Sequence, residues 1–174
     1  MSKYSNLDLE KINNIQLRVE DNSKQMEEIV HDIIATYVDD LDRYVEHIDK
    51  RLVESNNPPT DAELEDFCLN LSTLIYFANG MCEQLGIRES IAKAIYKEKY
   101  NTSRDNLTKG TVQDKNTLAE LEATQEQLVS IVYSSAYKTV KNKIDAAQEL
   151  LSSCKKSISR RMQEQQLTNM VGGA

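Results

Sequence analysis

Residues 9–53 read LEKINNIQLRVEDNSKQMEEIVHDIIATYVDDLDRYVEHIDKRLV, a stretch with neither Gly nor Pro. Apolar residues recur at Ile12, Ile15, Val19, Met26, Ile29, Ile33, Tyr37, Leu41, Tyr44, Ile48 and Leu52, with gaps of three or four apart from one of seven across Asn22. That spacing draws a seam along one helix face for about six heptads, the pattern of a coiled coil. At about 1.5 Å per residue the helix reaches roughly 65–70 Å, too long to bury its seam against a small compact body. A second long helix must cover it, from this chain or from another copy. Ile12, Ile15, Val19, Met26, Ile33, Leu41 and Ile48 are the expected oligomerisation seam.

Asn56-Asn57-Pro58-Pro59 ends this helix, because Pro lacks an amide hydrogen and pushes its predecessor out of the α region. Thr60-Asp61-Ala62-Glu63 has the form of a capping box, with acidic residues at the positive end of the helix dipole. The helix it opens buries Leu64, Phe67, Cys68, Leu71, Leu74, Ile75 and Ala78. Gly86 reads as the residue just past its end, and Gly80 inside it suits a close helix contact. A third segment runs from about Arg88 to Asn106 and closes at Lys109-Gly110. Thr111 begins the last element, which has no Gly or Pro until Gly172 and carries Leu118, Leu121, Leu128, Val132, Ala136, Val140, Ile144, Ala147, Leu151, Cys154 and Ile158. It reads as a second long helix of roughly 70–80 Å. Polar residues near its stripe, among them Thr124, Ser135, Thr139 and Asn142, are of the kind that set register and oligomer number.

The fold class expected is therefore all-α: an elongated helical bundle of two long coiled-coil-like helices and two shorter helices, assembled as an oligomer. Residues 1–55 form an acidic arm, 60–164 a helical core with a basic C-terminal helix, and 165–174 a polar tail expected to be disordered. The 174 residues suffice for one domain with a real core. Apolar runs fall far short of the ~18–20 residues a membrane span needs, so no membrane association is expected. The start, MSKYSNLDLE, lacks the apolar stretch of a secretory signal, and the expected location is cytoplasmic, in the host cytoplasm if the protein is viral.

Little in the chain points to catalysis. There is no Gly-rich phosphate loop and no G-x-S-x-G, so an enzyme is not expected. His31 and His47 lie beside carboxylates on an acidic helix, and neither has a His or Cys four positions away, so no metal and no cofactor is expected. Asp39, Asp40 and Asp42 lack the turn glycine of a calcium loop and read as a solvated face. Cys68, Cys82 and Cys154 are odd in number and widely spaced, and read as reduced core residues.

Charge is the informative feature. The net −7 divides unequally: residues 1–87 carry 7 basic and 18 acidic residues, hence −11, and residues 88–174 carry 14 and 10, hence +4. A basic stripe on an acidic protein can track a phosphate backbone, since Lys and Arg release condensed counterions where they neutralise phosphates. Alternatively the acidic half meets the basic half, within one chain or between subunits. Lys93, Lys97, Tyr100 and Arg104 share one side of the third segment, where bases can stack on rings while phosphates meet cations. Tyr96 and Tyr100 read rather as core-boundary residues with buried rings and wet hydroxyls, the commoner use of Tyr. Lys109, Lys138 and Lys141 extend the series. In Lys155-Lys156-Ser157-Ile158-Ser159-Arg160-Arg161 the cations cover both sides of Ile158, so some face solvent whichever side packs. They also suit the negative end of a helix dipole.

Lys93-Ala94-Ile95-Tyr96-Lys97-Glu98-Lys99-Tyr100, the turn Lys109-Gly110-Thr111, the mid-helix Tyr137-Lys138-Thr139-Val140-Lys141 and the stretch from Glu149 to Arg161 together resemble the UvsY-type recombination mediators and related small helical proteins of tailed phages. The similarity covers about Ser90 to Met162, and the acidic helix is additional to it. The resemblance implies a phage protein that binds single-stranded DNA as a ring-like homo-oligomer and helps load a recombinase against single-strand binding protein. On it, Lys93, Lys97, Tyr100, Arg104, Lys109, Lys138, Lys141, Lys155, Lys156, Arg160 and Arg161 are the expected DNA-binding residues. The alternative is a structural or interaction protein, such as a virion component, scaffold or host-defence inhibitor, acting through protein contacts alone.

Overall fold

The computed structural model describes the backbone of residues 9–54 and 57–171, and within these the side chains of residues 16, 17, 19–54 and 57–170. Helix α1 spans Leu9–Glu54, α2 Asp61–Asn106, α3 Val112–Glu122 and α4 Thr124–Val171, and the described residues contain no strand. The fold is an all-α helical bundle.

Both expected helix starts are built as the sequence requires. The Thr60 hydroxyl accepts the Glu63 amide at 3.2 Å, and the Glu63 carboxylate accepts the Thr60 amide at 2.7 Å. Thr111 and Asp114 repeat this reciprocal pair at α3, at 3.2 and 3.0 Å. Each box satisfies two amides that would otherwise lack partners. Gly110, with φ of 108°, makes the turn between α2 and α3 in a region that L side chains rarely adopt.

The second and third sequence segments are one helix: α2 runs without interruption through Gly80 and Gly86, so Gly86 does not end a helix. Its role is contact. A Cβ at Gly86 would lie 3.1 Å from the Tyr137 ring, whereas one at Gly80 would meet nothing within 4 Å. The close helix approach expected at Gly80 therefore falls at Gly86. The last element departs in the other direction, breaking at Ala123 (φ −98°, ψ 12°) into α3 and α4. There the Thr124 hydroxyl donates to the carbonyls of Glu120 and Leu121, a local bond that competes with the helical ladder. At the far end α4 remains helical to Val171, so residues 165–171, assigned to a disordered tail from sequence, are helix. Gly172 lies outside the described residues.

α4 packs chiefly on α2, and α1 lies against both. α2 and α4 are antiparallel, linked by Arg161 to Asp61 at one end and Ser134 to Glu89 towards the other. α1 runs parallel to α4, with Lys143 on Asp42 at 2.6 Å. The core is one cluster in which Tyr37, Val38, Leu41 and Ile48 of α1 meet Leu64, Phe67, Leu71 and Leu85 of α2 and Ala136, Val140 and Ile144 of α4. Ile48, Leu71, Leu85 and Val140 are fully enclosed. The α1 seam is thus covered over its second half by this chain's own α2 and α4. Towards its start the cover thins: Val19 is exposed, Met26 is half-buried, and apolar grooves of about 430 and 540 Å³ flank the α1–α4 contact. The side chains of Ile12 and Ile15 lie outside the described residues.

Candidate nucleic-acid interface

The basic residues singled out from sequence come from α2 and α4, and the antiparallel pairing of those helices lays several of them along one seam. Lys155 stands near Cys68 and Lys141 near Cys82. Burial pushes both thiols up, and each lysine opposes the shift. Farther along, Lys93 pairs with Glu89, whose carboxylate also accepts the Ser134 hydroxyl of α4 at 3.0 Å. The hydrogen bond from Lys93, assisted by that from Ser134, holds the Glu89 carboxyl below its usual range. Lys155, Lys141 and Lys93 therefore mark the α2–α4 seam in sequence from one end towards the other. At about 1.5 Å per residue, the fourteen positions from Lys141 to Lys155 span roughly 21 Å.

Around this line Lys97 and Lys138 are exposed, as are Lys109 in the α2–α3 connection and Lys156 on α4. None of Lys97, Lys109, Lys138, Lys141, Lys155 and Lys156 forms an ion pair with a described residue. Their charge is available to a phosphate without breaking a bond of the fold. Asp145 and Glu149, both exposed, fall between Lys141 and Lys155 on α4 and divide the positive charge into two groups.

Other candidates are already engaged. Arg161 donates to the Pro59 carbonyl at 2.6 Å and to Asp61 at 2.9 Å, pinning the end of α4 to the start of α2. Arg160 pairs with Glu164 at 2.9 Å, one turn along an exposed face, and Arg104 with the adjacent Asp105 at 3.3 Å. Tyr96 and Tyr100 are both half-buried with ring centroids 6.4 Å apart, a core-boundary position that leaves part of each ring accessible.

The acidic arm does not blanket this surface. Among the described residues, the one ion pair between α1 and the basic half is Asp42 with Lys143, and Lys143 faces α1 away from the seam. Arg88, which the sequence reading left without a role, lies 5.9 Å over the Tyr37 ring and helps hold α1 to α2. Sequence reasoning also missed the Lys93–Glu89–Ser134 link. The i, i+4 spacing of Glu89 and Lys93 was its visible half, whereas Ser134 is 45 residues from Glu89 and requires the fold.

His31 is exposed, and His47 packs edge-on against Phe67 at 6.4 Å. Among the described residues no group of three or more His, Cys, Asp or Glu side chains can hold a metal ion. Nor is any described helix long and apolar enough to cross a membrane. Comparisons with protein-family models, curated proteins and solved structures find no match to this chain.

Proposed function

We propose that this protein is a non-enzymatic mediator of phage DNA recombination, acting in the host cytoplasm. In this reading it binds single-stranded DNA as a homo-oligomer and helps load a recombinase in the presence of single-strand binding protein. The observation that carries the reading is a set of exposed lysines on and around the α2–α4 seam, Lys141 and Lys155 on the seam itself, that form no ion pair with a described residue, on a protein whose overall charge is −7. A net-acidic chain that leaves Lys97, Lys138, Lys141, Lys155 and Lys156 exposed and out of ion pairs with its described carboxylates is suited to a polyanion. Half-buried Tyr100 and Tyr96 add ring surface on which a base can stack. Repetition of weak contacts around an oligomer raises effective concentration without any new contact. The sequence resemblance over Ser90–Met162 adds the recombinase-loading role.

A second reading, a structural protein acting through protein contacts alone, is favoured by a different observation: large apolar side chains stand exposed along α2. Fluorescence anisotropy of labelled oligothymidine at increasing salt separates the two. Binding whose logarithm falls linearly with log salt, at about −0.7 per phosphate neutralised, supports the mediator. Absence of binding at low salt by a folded protein supports the structural reading.

A further inference from the structure

Helix α2 is apolar on two faces. One face packs on α4 and α1 through Leu64, Phe67, Leu71, Ile75, Ala78 and Leu85. The other carries Leu69, Tyr76, Phe77, Ile87, Ile91 and Ile95, from 50% exposed at Ile95 to 75% at Tyr76. Leu69, Thr73, Tyr76, Gly80, Gln84, Ile87, Ile91 and Ile95 follow one another at gaps of three or four, so they form a continuous seam on the side away from the core. Six large apolar side chains this exposed present on the order of 800 Å², about one partner's share of a standard interface.

Two further observations say what covers the seam. Charge along α2 is polar in the lengthwise sense: residues 61–83 hold Asp61, Glu63, Glu65, Asp66 and Glu83 with no base. Residues 84–106 hold five bases against three acids. An identical helix laid antiparallel over the first puts each acidic half on the other's basic half, and a parallel one puts like on like. The second observation is Gly80. It is exposed, lies close to the midpoint of the seam, and a Cβ there would meet no described residue within 4 Å. A glycine inside a helix is destabilising relative to alanine. Gly86 has Tyr137 to explain it, and Gly80 has no such neighbour among the described residues. At the centre of an antiparallel helix pair, a missing side chain lets the two backbones approach.

We infer that the outer face of α2 is a self-association surface, on which a second copy of this chain packs its own α2 antiparallel about a two-fold axis near Gly80 to Glu83. This surface is distinct from the α1 seam expected to oligomerise, much of which the chain's own core occupies. It also leaves Lys93, Lys141 and Lys155 on the α2–α4 seam uncovered.

Sedimentation velocity of the full-length protein without DNA tests this, so its outcome is independent of nucleic-acid binding. The 19.8 kDa chain is expected to sediment as a dimer or an even-numbered assembly at tens of micromolar. Ile87→Glu with Ile91→Glu is expected to weaken association at least tenfold while circular dichroism keeps its helical signal, because both side chains are outside the core. Lys99→Glu should also weaken it, and adding Asp66→Lys should restore it. A wild-type protein that stays monomeric at all concentrations overturns the proposal and points to a different partner for this face. A mass unchanged by the Ile87 and Ile91 substitutions, or a paired charge reversal that fails to restore association, overturns it equally.

Discussion

Arg161 Nη1 lies 2.9 Å from Asp61 Oδ1 and 2.6 Å from the carbonyl oxygen of Pro59, so a basic residue near the end of α4 closes on the first turn of α2 a hundred positions earlier. The contact sets the Arg161 cation, ten positions before the end of α4, on a carboxylate in the first turn of α2, where negative charge is favourable to the helix dipole. Arg161→Ala should cost about 1 kcal/mol, the size of a partly exposed ion pair and one hydrogen bond. Chemical denaturation measures it. Oligothymidine affinity should change little, which separates Arg161 from its lysine neighbours.

Lys141→Glu with Lys155→Glu should act the opposite way. Neither lysine makes an ion pair with a described residue, so the free energy of unfolding should hold within about 0.5 kcal/mol, the range of ordinary surface changes. Oligothymidine affinity should fall more than tenfold at low salt. The slope of log affinity against log salt should shrink by about 0.7 for each phosphate contact removed. A loss of affinity without a change in slope would mean that these residues act other than by neutralising phosphate.

Much of the architecture was legible because periodicity and capping are local. The Leu9–Glu54 helix, the Pro-Pro stop, the capping box at Thr60 and the helix start at Thr111 follow from residues within a few positions of one another. The continuity of α2 was not legible, because Gly86 carries the same local signal at a helix end as at a tight helix crossing, and Tyr137 decides between them from 51 residues away. The break at Ala123 has no Gly or Pro to announce it. Among the basic residues, the sequence marked the charges but not which ones the fold consumes. Arg161 and Lys143 find carboxylates a hundred residues distant, and the lysines beside them do not.

The first apolar seam makes a graded prediction along α1. Ile48 is fully buried among this chain's own helices, so Ile48→Ala should cost roughly 2–5 kcal/mol through lost burial and the cavity left behind. Val19 is 60% exposed, and Val19→Ala should cost less than about 0.5 kcal/mol in dilute protein. Thermal and urea unfolding of the two variants check the gradient.

Acid should act on the α2 start through Glu63. Its carboxyl is held down to about 2, first by the Arg51 guanidinium, bonded at 2.8 and 2.9 Å, and then by the Thr60 amide and hydroxyl. A depressed folded-state value means the charged form stabilises the fold above the unfolded value of about 4.5, and that this stabilisation is lost as pH falls from there towards 2. Glu63→Gln keeps the shape of the capping box but gives up the ion pair, so it should be the less stable protein at neutral pH. The difference from wild type should narrow steadily between pH 4.5 and 2, followed by urea unfolding at each pH. A difference that is flat across this range would place the stabilisation in the cap geometry rather than in the charge.

Two alanine substitutions on the same helix should differ although each replaces a glycine. At Gly80 the new methyl group enters open space and the helix gains the backbone restriction that alanine confers, so dilute monomer should be stabilised by about 0.5–1 kcal/mol. At Gly86 the same propensity gain applies, but the methyl carbon arrives 3.1 Å from Cε2 of Tyr137, closer than a comfortable carbon–carbon contact. The Tyr137 ring is half-buried and packs against the core, so it can give way only by disturbing its neighbours. Gly86→Ala should therefore be less stable than Gly80→Ala by on the order of 1 kcal/mol, and Gly86→Val less stable still. Removing the obstacle should reverse the order at this site: in a Tyr137→Ala background, Gly86→Ala should become stabilising like Gly80→Ala. Denaturation of the four single and double variants measures that coupling directly, and additive effects at Gly86 and Tyr137 would show that the two residues do not meet.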